Sequence, residues 1–287
     1  MRVLRPADNV YAFYDGRSDD PAAAGGDTWV DAGALSLGIA SYAIVDGDEA
    51  LVYDTHVSIG HAEQVRRRLE EQGVRKLTVV LSHWHLDHIA GNEVFADCEI
   101  LAGTRTAELL TRHREAIEAG TLEGPPAIKP LTLPTRLLGG PTTIAVGDTE
   151  VELLPFEIHS DDATLLWLPG QRLLLAGDAV EDTITYVTEP KKLTVHVEEL
   201  DRLAALGAER ILPNHGSAEA IAGGGYDEGL IRATQEYVRA LLRIGAGTEA
   251  AGTELRELIS GGLEAGSISY FPPYEDVHRE NLALISR

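Results

Sequence analysis

The sequence predicts an α/β fold, because a strand, a helix and a second strand follow one another near residue 50. Leu51–Asp54 is a short apolar run typical of a strand. Ser58–Gly73 carries Val65 and Leu69 four residues apart and ends on a glycine, which indicates an amphipathic helix with a C-cap. Leu77–Leu81 is uninterrupted and apolar, as buried strands are. This order indicates a βαβ-like unit.

Similar runs predict the remaining elements. Further strands are expected at Val10–Tyr14, Ser41–Val45, Thr143–Val146, Glu150–Pro155, Ala163–Leu168 and Arg172–Ala176. Asp46-Gly47-Asp48 predicts a hairpin turn. Helices are expected at Thr104–Ala119, Val197–Leu206, Asp227–Ile244, Glu249–Ile259 and Asp276–Ser286.

The absence of tandem repeats and low-complexity tails favours one domain over residues 1–287, with an insertion at 104–141 and a helical C-terminal region at 226–287. Residues 120–141 contain five prolines and four glycines. Proline fixes φ and removes a hydrogen-bond donor, so this stretch is expected to be irregular or to lie at a sheet edge. A lid over a site and a plain connector both fit it.

Charge and cysteine content exclude several function classes. The chain carries 24 Lys and Arg against 46 Asp and Glu, a net charge of −22. Such a surface repels nucleic acid and disfavours anionic membranes, which leaves a small molecule as the expected partner. Cys98 is the single cysteine, so an intramolecular disulfide and a cysteine-rich metal site are excluded and a cytoplasmic location is favoured. No membrane span or signal peptide is expected, and a homodimer is the default assembly.

The strongest chemical signal is a cluster of three histidines and an aspartate directly after the Leu77–Leu81 run. His83 and His85 are two residues apart, a spacing that points both rings to one side of an extended backbone. Asp87 and His88 follow within reach of an adjacent point. Neutral imidazole and carboxylate are natural ligands of borderline divalent cations, so the cluster predicts one or two metal ions.

Three later polar residues also end apolar runs. His159 follows Leu153–Ile158, Asp178 follows Leu173–Ala176, and His215 follows Ile211–Leu212 by way of Pro213-Asn214. Each alone is a weak signal. Their shared placement at strand ends, where α/β folds build sites, predicts that they join the histidine cluster.

These residues together resemble the metallo-β-lactamase superfamily of metallohydrolases. The resemblance rests on the HxHxDH run at 83–88, His159, Gly177-Asp178 and Asn214-His215-Gly216, and it covers roughly residues 40–216. It implies an αββα sandwich, in which two mixed sheets are flanked by helices and a binuclear site lies on one edge.

The resemblance also implies a role for each residue. His83, His85 and His159 would bind one divalent ion, Asp87, His88 and His215 a second, and Asp178 would bridge them. Zinc is the first candidate, with iron or manganese as alternatives. Metal-bound hydroxide would attack an ester, lactone, thioester or amide of a small molecule, with Asp87 orienting it and Asp54 fixing a histidine ring.

Asp178 narrows the subclass, because in this superfamily a bridging carboxylate is typical of thioesterases and lactonases rather than of β-lactamases. A mononuclear iron enzyme resembling persulfide dioxygenases and a β-lactam hydrolase stay open as alternatives. Ile158-His159-Ser160-Asp161-Asp162 departs from the Gly-His-Thr-Pro-Gly turn common in the family.

Two side chains outside the donor set are candidates for substrate contact. Tyr186, eight residues after Asp178, is a catalytic candidate that could assist a carbonyl oxygen, with core packing as the alternative. Lys191 could hold a substrate carboxylate. The histidines without companion residues are expected at the surface; they are His61, His113, His196 and His278.

Overall fold

Two β-sheets pack face to face in the computed structural model, which describes residues 1–17, 28–250 and 252–286. The first sheet has seven strands in sequence order: β1 (Arg2–Ala7), β2 (Val10–Asp15), β3 (Ile39–Asp46), β4 (Glu49–Tyr53), β5 (Lys76–Val80), β6 (Glu99–Gly103) and β7 (Arg136–Leu138). The second has the order β12-β11-β10-β9-β8, formed by β8 (Thr142–Val146), β9 (Thr149–Ile158), β10 (Ser160–Leu168), β11 (Leu173–Gly177) and β12 (Arg210–Pro213).

Both sheets are mixed. In the first, β1 to β4 are antiparallel neighbours and β4 to β7 are parallel, each joined through a crossover. In the second, β8 to β11 are antiparallel and β12 pairs with β11 in parallel. Parallel pairing places the carboxyl ends of β4 and β5 at one edge of the first sheet. It likewise places the carboxyl ends of β11 and β12 at one edge of the second sheet.

The helices lie outside the two sheets. They are α1 (Ile59–Glu71), α2 (Leu86–Ile89), α3 (Thr104–Ala119), α4 (Leu193–Ala204), α5 (Ala218–Ala222), α6 (Gly229–Gly245), α7 (Leu255–Leu258), α8 (Ser260–Ala265) and α9 (Tyr274–Ile285). Trp29–Leu35 forms a π-helical segment. Ser58 caps α1, since its side chain accepts a hydrogen bond from the backbone of His61.

Three apolar layers hold these elements together and confirm the αββα sandwich. Val65 and Leu69 of α1 pack against the outer face of the first sheet. Tyr42 of β3 and Leu166 of β10 meet in the layer between the sheets. Leu200 of α4 belongs to the layer outside the second sheet. Each sheet thus buries one face against the other sheet and one against helices.

The segment 104–141 is helical and then irregular, as its prolines predict. Residues 120–135 follow α3 without regular structure, and β7 ends the segment as an edge strand of the first sheet. Ile128 and Leu131 are buried in the layer around α1 and α3. The segment is therefore anchored by its own side chains.

The prediction of a helix at Glu249–Ile259 is confirmed only for its last turn, because α7 (Leu255–Leu258) lies within that range. Residues 249–250 and 252–254 lie outside any helix, and α8 begins at Ser260. Gly262 of α8 packs so closely on Ala233 of α6 that a Cβ there would lie 2.9 Å from the Ala233 Cβ. The α8 helix therefore packs directly on α6.

Within the described residues, no helix is long and apolar enough to cross a membrane. The aromatic stretch at 270–274 packs on the second sheet's helical layer, where Tyr274 is fully buried and Phe271 nearly so. The Tyr274 hydroxyl donates to Glu181, which ties the C-terminal region to the loop after β11.

Two of the four histidines expected at the surface are buried. His196 of α4 is 0% exposed and both of its ring nitrogens lack a hydrogen-bond partner. His278 of α9 is 3% exposed and bonds to the Tyr237 hydroxyl. The surface prediction is wrong for this pair, because each lies on the apolar face of an amphipathic helix that covers the second sheet.

We expect His196→Leu to make the protein less sensitive to acid. Burial, followed by His159 and Lys192, lowers the His196 pKa from 6.5 to about 4. As pH falls, the unfolded chain therefore binds a proton at His196 at a higher pH than the folded chain does. The stability that depends on a neutral His196 is present above pH 6.5 and is lost as pH falls toward 4. The shift corresponds to about 3 kcal/mol. Urea unfolding at several pH values measures how steeply the free energy of unfolding falls with pH in each protein. The variant His113→Leu, at a partly exposed position, is the control, and an equal pH dependence in the two variants would contradict the prediction.

Candidate metal centre

The polar residues predicted at strand ends meet at one edge of the sandwich. Asp54 follows β4, His83 and His85 follow β5, Asp87 and His88 lie in α2, His159 separates β9 from β10, Asp178 follows β11, and His215 follows β12. The sheets are joined at this edge, since Thr164 N donates to Ser82 O at 2.7 Å and the Tyr53 hydroxyl donates to Thr164 O at 2.7 Å. The donors therefore come from both sheets.

The side chains form two adjacent groups of donor atoms, each within 4.8 Å. The first consists of His83, His85, His159 and Asp178, and the second of Asp87, His88 and His215. In the first group the Nδ1 of His85 lies 2.9 Å from His83 Nε2 and 3.0 Å from His159 Nε2. Imidazole nitrogens that converge so closely need a shared proton or cation between their lone pairs.

Asp178 stands between the two groups. Its Oδ2 lies 3.1 Å from the Nε2 of His88 and 3.5 Å from that of His215. It also lies 3.6 Å from His83 Nε2 and 3.7 Å from His159 Nε2. One carboxylate oxygen thus faces donors of both groups.

The outward ring nitrogens of four histidines are held by hydrogen bonds. His88 Nδ1 lies 2.9 Å from Asp54 Oδ2, and His83 Nδ1 lies 2.8 Å from Ser82 Oγ. The Nδ1 atoms of His159 and His215 bond to the carbonyls of Tyr186 and Gly38 at 2.9 and 2.8 Å. These partners leave the Nε2 atoms to face the centre, as outer hydrogen bonds do in metal sites.

The first group is built to be neutral at its nitrogens. Burial, with help from His88 and His85, holds the pKa of His83 well below its usual range. Burial and His159 lower the pKa of His85 to about 3. Burial also outweighs Asp178 in lowering the pKa of His159. Unprotonated imidazole is the form that binds a metal.

The second group carries paired charges. Burial opposes protonation of His215, but Asp178 and Asp87 outweigh it and raise the pKa to about 9. The pKa of His88 is likewise raised, because Asp178, Asp87 and Asp54 outweigh the effect of burial. Burial disfavours the ionised form of Asp87, but His88 and His215 hold its pKa well below the usual range. Cationic charge is therefore stabilised at this point.

The residues fit divalent cations on two further observations. Asp178 is 5% exposed, yet its Oδ1 has no hydrogen-bond partner. A buried carboxylate oxygen without a partner is costly unless a charge compensates it. The donor set of imidazole and carboxylate suits zinc, iron or manganese.

The backbone at this edge is strained where it supplies donors. Asp54 and His159 have φ of +66° and +65°, values unusual for residues with a Cβ. Gly177 has φ +55°, and a Cβ there would lie 3.0 Å from the Tyr53 hydroxyl. Such strain, of order 1–3 kcal/mol for each residue, is typical of functional sites.

We expect Asp54→Asn to weaken metal binding by about 10–100-fold, the usual cost of losing a partner that orients a ligand. Asp54 accepts from Ser82 N through Oδ1, and from His88 Nδ1 and Asn214 Nδ2 through Oδ2. An asparagine accepts through only one of its two terminal atoms, so one set of donors faces an NH₂ group. Competition with a zinc chelator measures the change; an unaltered zinc affinity would contradict the role of Asp54.

A cavity of about 400 Å³ opens over the donor groups. Tyr186 lines it, with its ring 6.3 Å from that of His159, so this predicted residue is close to the centre. Lys191 is exposed and is not among the described lining residues. The wall also holds residues that the sequence did not single out: Trp29, Ala34, Leu37, Glu123, Glu181 and Glu280. Only Glu181 had a usable signal, since it lies three residues after Asp178.

Solved structures of similar fold include metallo-β-lactamases. VMB-1 superposes with a TM-score of 0.63 at 17% identity and covers 84% of this chain and 97% of its own. A metallo-β-lactamase from Pontibacter korlensis superposes with a TM-score of 0.63 at 17% identity, covering 83% of this chain and 98% of its own. The DIM-1 metallo-β-lactamase exposed to ceftazidime has a TM-score of 0.61 at 21% identity, covering 83% of this chain and 96% of its own. At these identities the likeness shows the fold.

Sequence comparison extends the likeness. The Beta-lactamase-like protein 2 homolog of Caenorhabditis elegans is 25% identical over 138 residues, 48% of this chain. The match spans 41% of that relative's length. The sequence profile of the metallo-β-lactamase superfamily matches residues 36–215, which include every donor named above. The chain belongs to the metallo-β-lactamase superfamily.

Proposed function

We propose that the protein is a binuclear hydrolase that cleaves an ester, lactone, thioester or amide bond of a small molecule. The observation that carries the proposal is the position of Asp178 Oδ2 within 3.1–3.7 Å of Nε2 atoms from both donor groups. His83, His85 and His159 would hold one ion, and Asp87, His88 and His215 the other, with Asp178 shared. Zinc is the first candidate for both.

The reaction needs an activated water and a polarised carbonyl. Two bound divalent cations supply Lewis acidity and make water a nucleophile near neutral pH. Asp87 is suited to orient that water, because its Oδ2 faces the centre 3.2 Å from His215 Nε2 while its side chain stays 19% exposed.

We propose that Tyr186 assists the carbonyl oxygen from the cavity wall. His159 Nδ1 bonds to the Tyr186 carbonyl, so the backbone that carries the phenol is fixed relative to the first donor group. Tyr186→Phe is expected to lower kcat by about 10–100-fold, since it removes one polar contact made in the transition state, and to leave the metal content unchanged. An unchanged kcat would assign Tyr186 to packing.

Metal analysis followed by a substrate panel tests the proposal. We expect two divalent ions per chain and hydrolysis of at least one ester, thioester, lactone, amide or β-lactam by the zinc-loaded protein. Chelation should abolish the activity and zinc should restore it. One iron per chain with oxygen uptake on a persulfide would contradict the proposal, and so would full activity of a metal-free preparation.

A further inference from the structure

The wall of the cavity carries carboxyl groups outside the donor groups as well as within them. Among the described residues that line the cavity there is no lysine or arginine. Three glutamates line it in addition to Asp87 and Asp178. They come from separate parts of the chain: Glu123 follows α3, Glu181 follows β11, and Glu280 belongs to α9.

The three glutamates differ in their partners. Glu181 is buried, and its oxygens accept from Tyr186 N and the Tyr274 hydroxyl at 3.1 Å each, so it holds the wall in place. Glu123 and Glu280 have exposed side chains, and neither forms a hydrogen bond or an ion pair with another described residue. Partial burial in the cavity, and then Asp87, raise the pKa of Glu123 to about 7, so a nearby cation would favour its ionised form. These two carboxylates are therefore available to a ligand at the mouth of the cavity.

The basic side chains near the centre are already neutralised. Lys192 contacts Glu157 and Asp161 at 3.0 and 3.2 Å. Arg17 pairs with the buried carboxylate of Asp182 at 3.3 Å. Among the described residues, no lysine or arginine that lines the cavity is therefore placed to receive an anionic group of a substrate.

Apolar side chains line the same cavity as these carboxylates. Trp29, Ala34 and Leu37 line the cavity from the segment before β3. The indole nitrogen of Trp29 donates to Pro126 O at 3.1 Å, which ties the ring to the same loop that carries Glu123. An aromatic ring beside carboxylates is the combination that recognises ammonium groups.

We propose that the substrate is a cationic small molecule, a carboxylic ester, lactone, thioester or amide that bears an ammonium or quaternary ammonium group. This inference rests on the proposed hydrolase function. Two divalent ions in the donor groups would carry more charge than Asp87 and Asp178 neutralise, so the inner end of the cavity would be positive, whereas Glu123 and Glu280 would supply negative charge away from the ions. The carbonyl is directed inward, and the cationic group lies against Glu123, Glu280 and Trp29. An anionic substrate is repelled at the mouth.

Three matched p-nitrophenyl esters test this inference with the zinc-loaded protein. One has a butanoate chain capped by trimethylammonium, the second its neutral tert-butyl isostere, and the third a terminal carboxylate. We expect kcat/KM for the cation to exceed that for the neutral ester by about tenfold, with the anion lowest, and the preference to shrink as salt is added. Equal rates, or a preference for the anion, would overturn it.

A double variant, Glu123→Gln with Glu280→Gln, assigns the preference to these residues. The ratio of cation to neutral ester is expected to fall close to one. Glu115→Gln with Glu264→Gln removes the same charge from exposed positions outside the cavity and should keep the ratio. A ratio unchanged in the first pair, or lost equally in both pairs, would overturn the assignment.

Binding separates failure of this inference from failure of the proposed function. Benzyltrimethylammonium is titrated calorimetrically into the zinc-loaded wild type and both double variants. Binding that weakens about tenfold only in the Glu123 and Glu280 pair supports a cation site even if no ester is hydrolysed, in which case the proposed reaction alone fails. Binding that is absent from the wild type, or equal in all three proteins, overturns the inference whether or not hydrolysis is seen.

Discussion

Asp178→Asn is expected to lower kcat/KM by more than about 100-fold and to leave fewer than two metal ions per chain. The substitution keeps the size of the side chain and removes its charge. Asp178 Oδ2 faces four imidazole nitrogens, and Oδ1 is buried without a partner. Loss of an outer partner of a ligand costs about 10–100-fold, so loss of the shared ligand should cost more. Elemental analysis and ester hydrolysis measure the two effects.

Asp162→Asn provides a matched control for this prediction. Asp162 is also 5% exposed and also has an oxygen without a partner, Oδ2, but it belongs to neither donor group. Burial raises its pKa to about 6, so an asparagine resembles its protonated form. We expect this variant to keep two ions. Two ions and activity within tenfold of wild type in Asp178→Asn would contradict a bridging role.

Gly91→Ala is expected to destabilise the folded protein by about 3 kcal/mol, the upper part of the range for overpacking a close-packed site. Gly91 follows α2, and a Cβ there would overlap the Thr55 carbonyl oxygen and the Ala62 Cβ. Thr55 N donates to His88 O at 2.8 Å, so α2 cannot move away without disturbing His88. The variant should therefore also bind zinc less tightly. Urea unfolding and zinc titration measure both changes.

Gly60→Ala is the control for a glycine in a helix with room for a side chain. Gly60 lies in the first turn of α1, and the nearest atom to an added Cβ is Ser58 Oγ at 3.9 Å. We expect a gain of up to about 1 kcal/mol, because alanine favours helices over glycine. If Gly91→Ala were as stable as wild type, α2 would not be held against α1 as tightly as its contacts indicate.

The local pattern of apolar residues was sufficient to predict most strands of the sandwich. Uninterrupted or alternating apolar runs locate β4, β5, β10 and β11 because each is buried by the same residues that make the run. β1 was missed, since its sequence RVLRPA mixes charge and proline with few apolar positions and its burial is slight. Its pairing with β2, rather than its own composition, makes it a strand.

The donor set was predictable for a different reason. Histidine and aspartate directly after apolar runs are chemically unusual, and parallel strands bring their ends together. The cavity wall was not predictable, because no local pattern in the sequence indicates that Trp29, Glu123 and Glu280 line one cavity in the folded chain. The burial of His196 was missed for a similar reason, since it depends on the packing of α4 against the second sheet.

The joining of the two sheets at the metal edge has a consequence for the lifetime of the protein. Each donor group takes residues from the segment after β5 and from the strands of the second sheet. A cation in either group would therefore cross-link the two halves of the chain, and unfolding would require its release. Binding to the native state alone stabilises it by mass action. Metal supply would then govern how long each molecule survives proteolysis, as well as how fast it works.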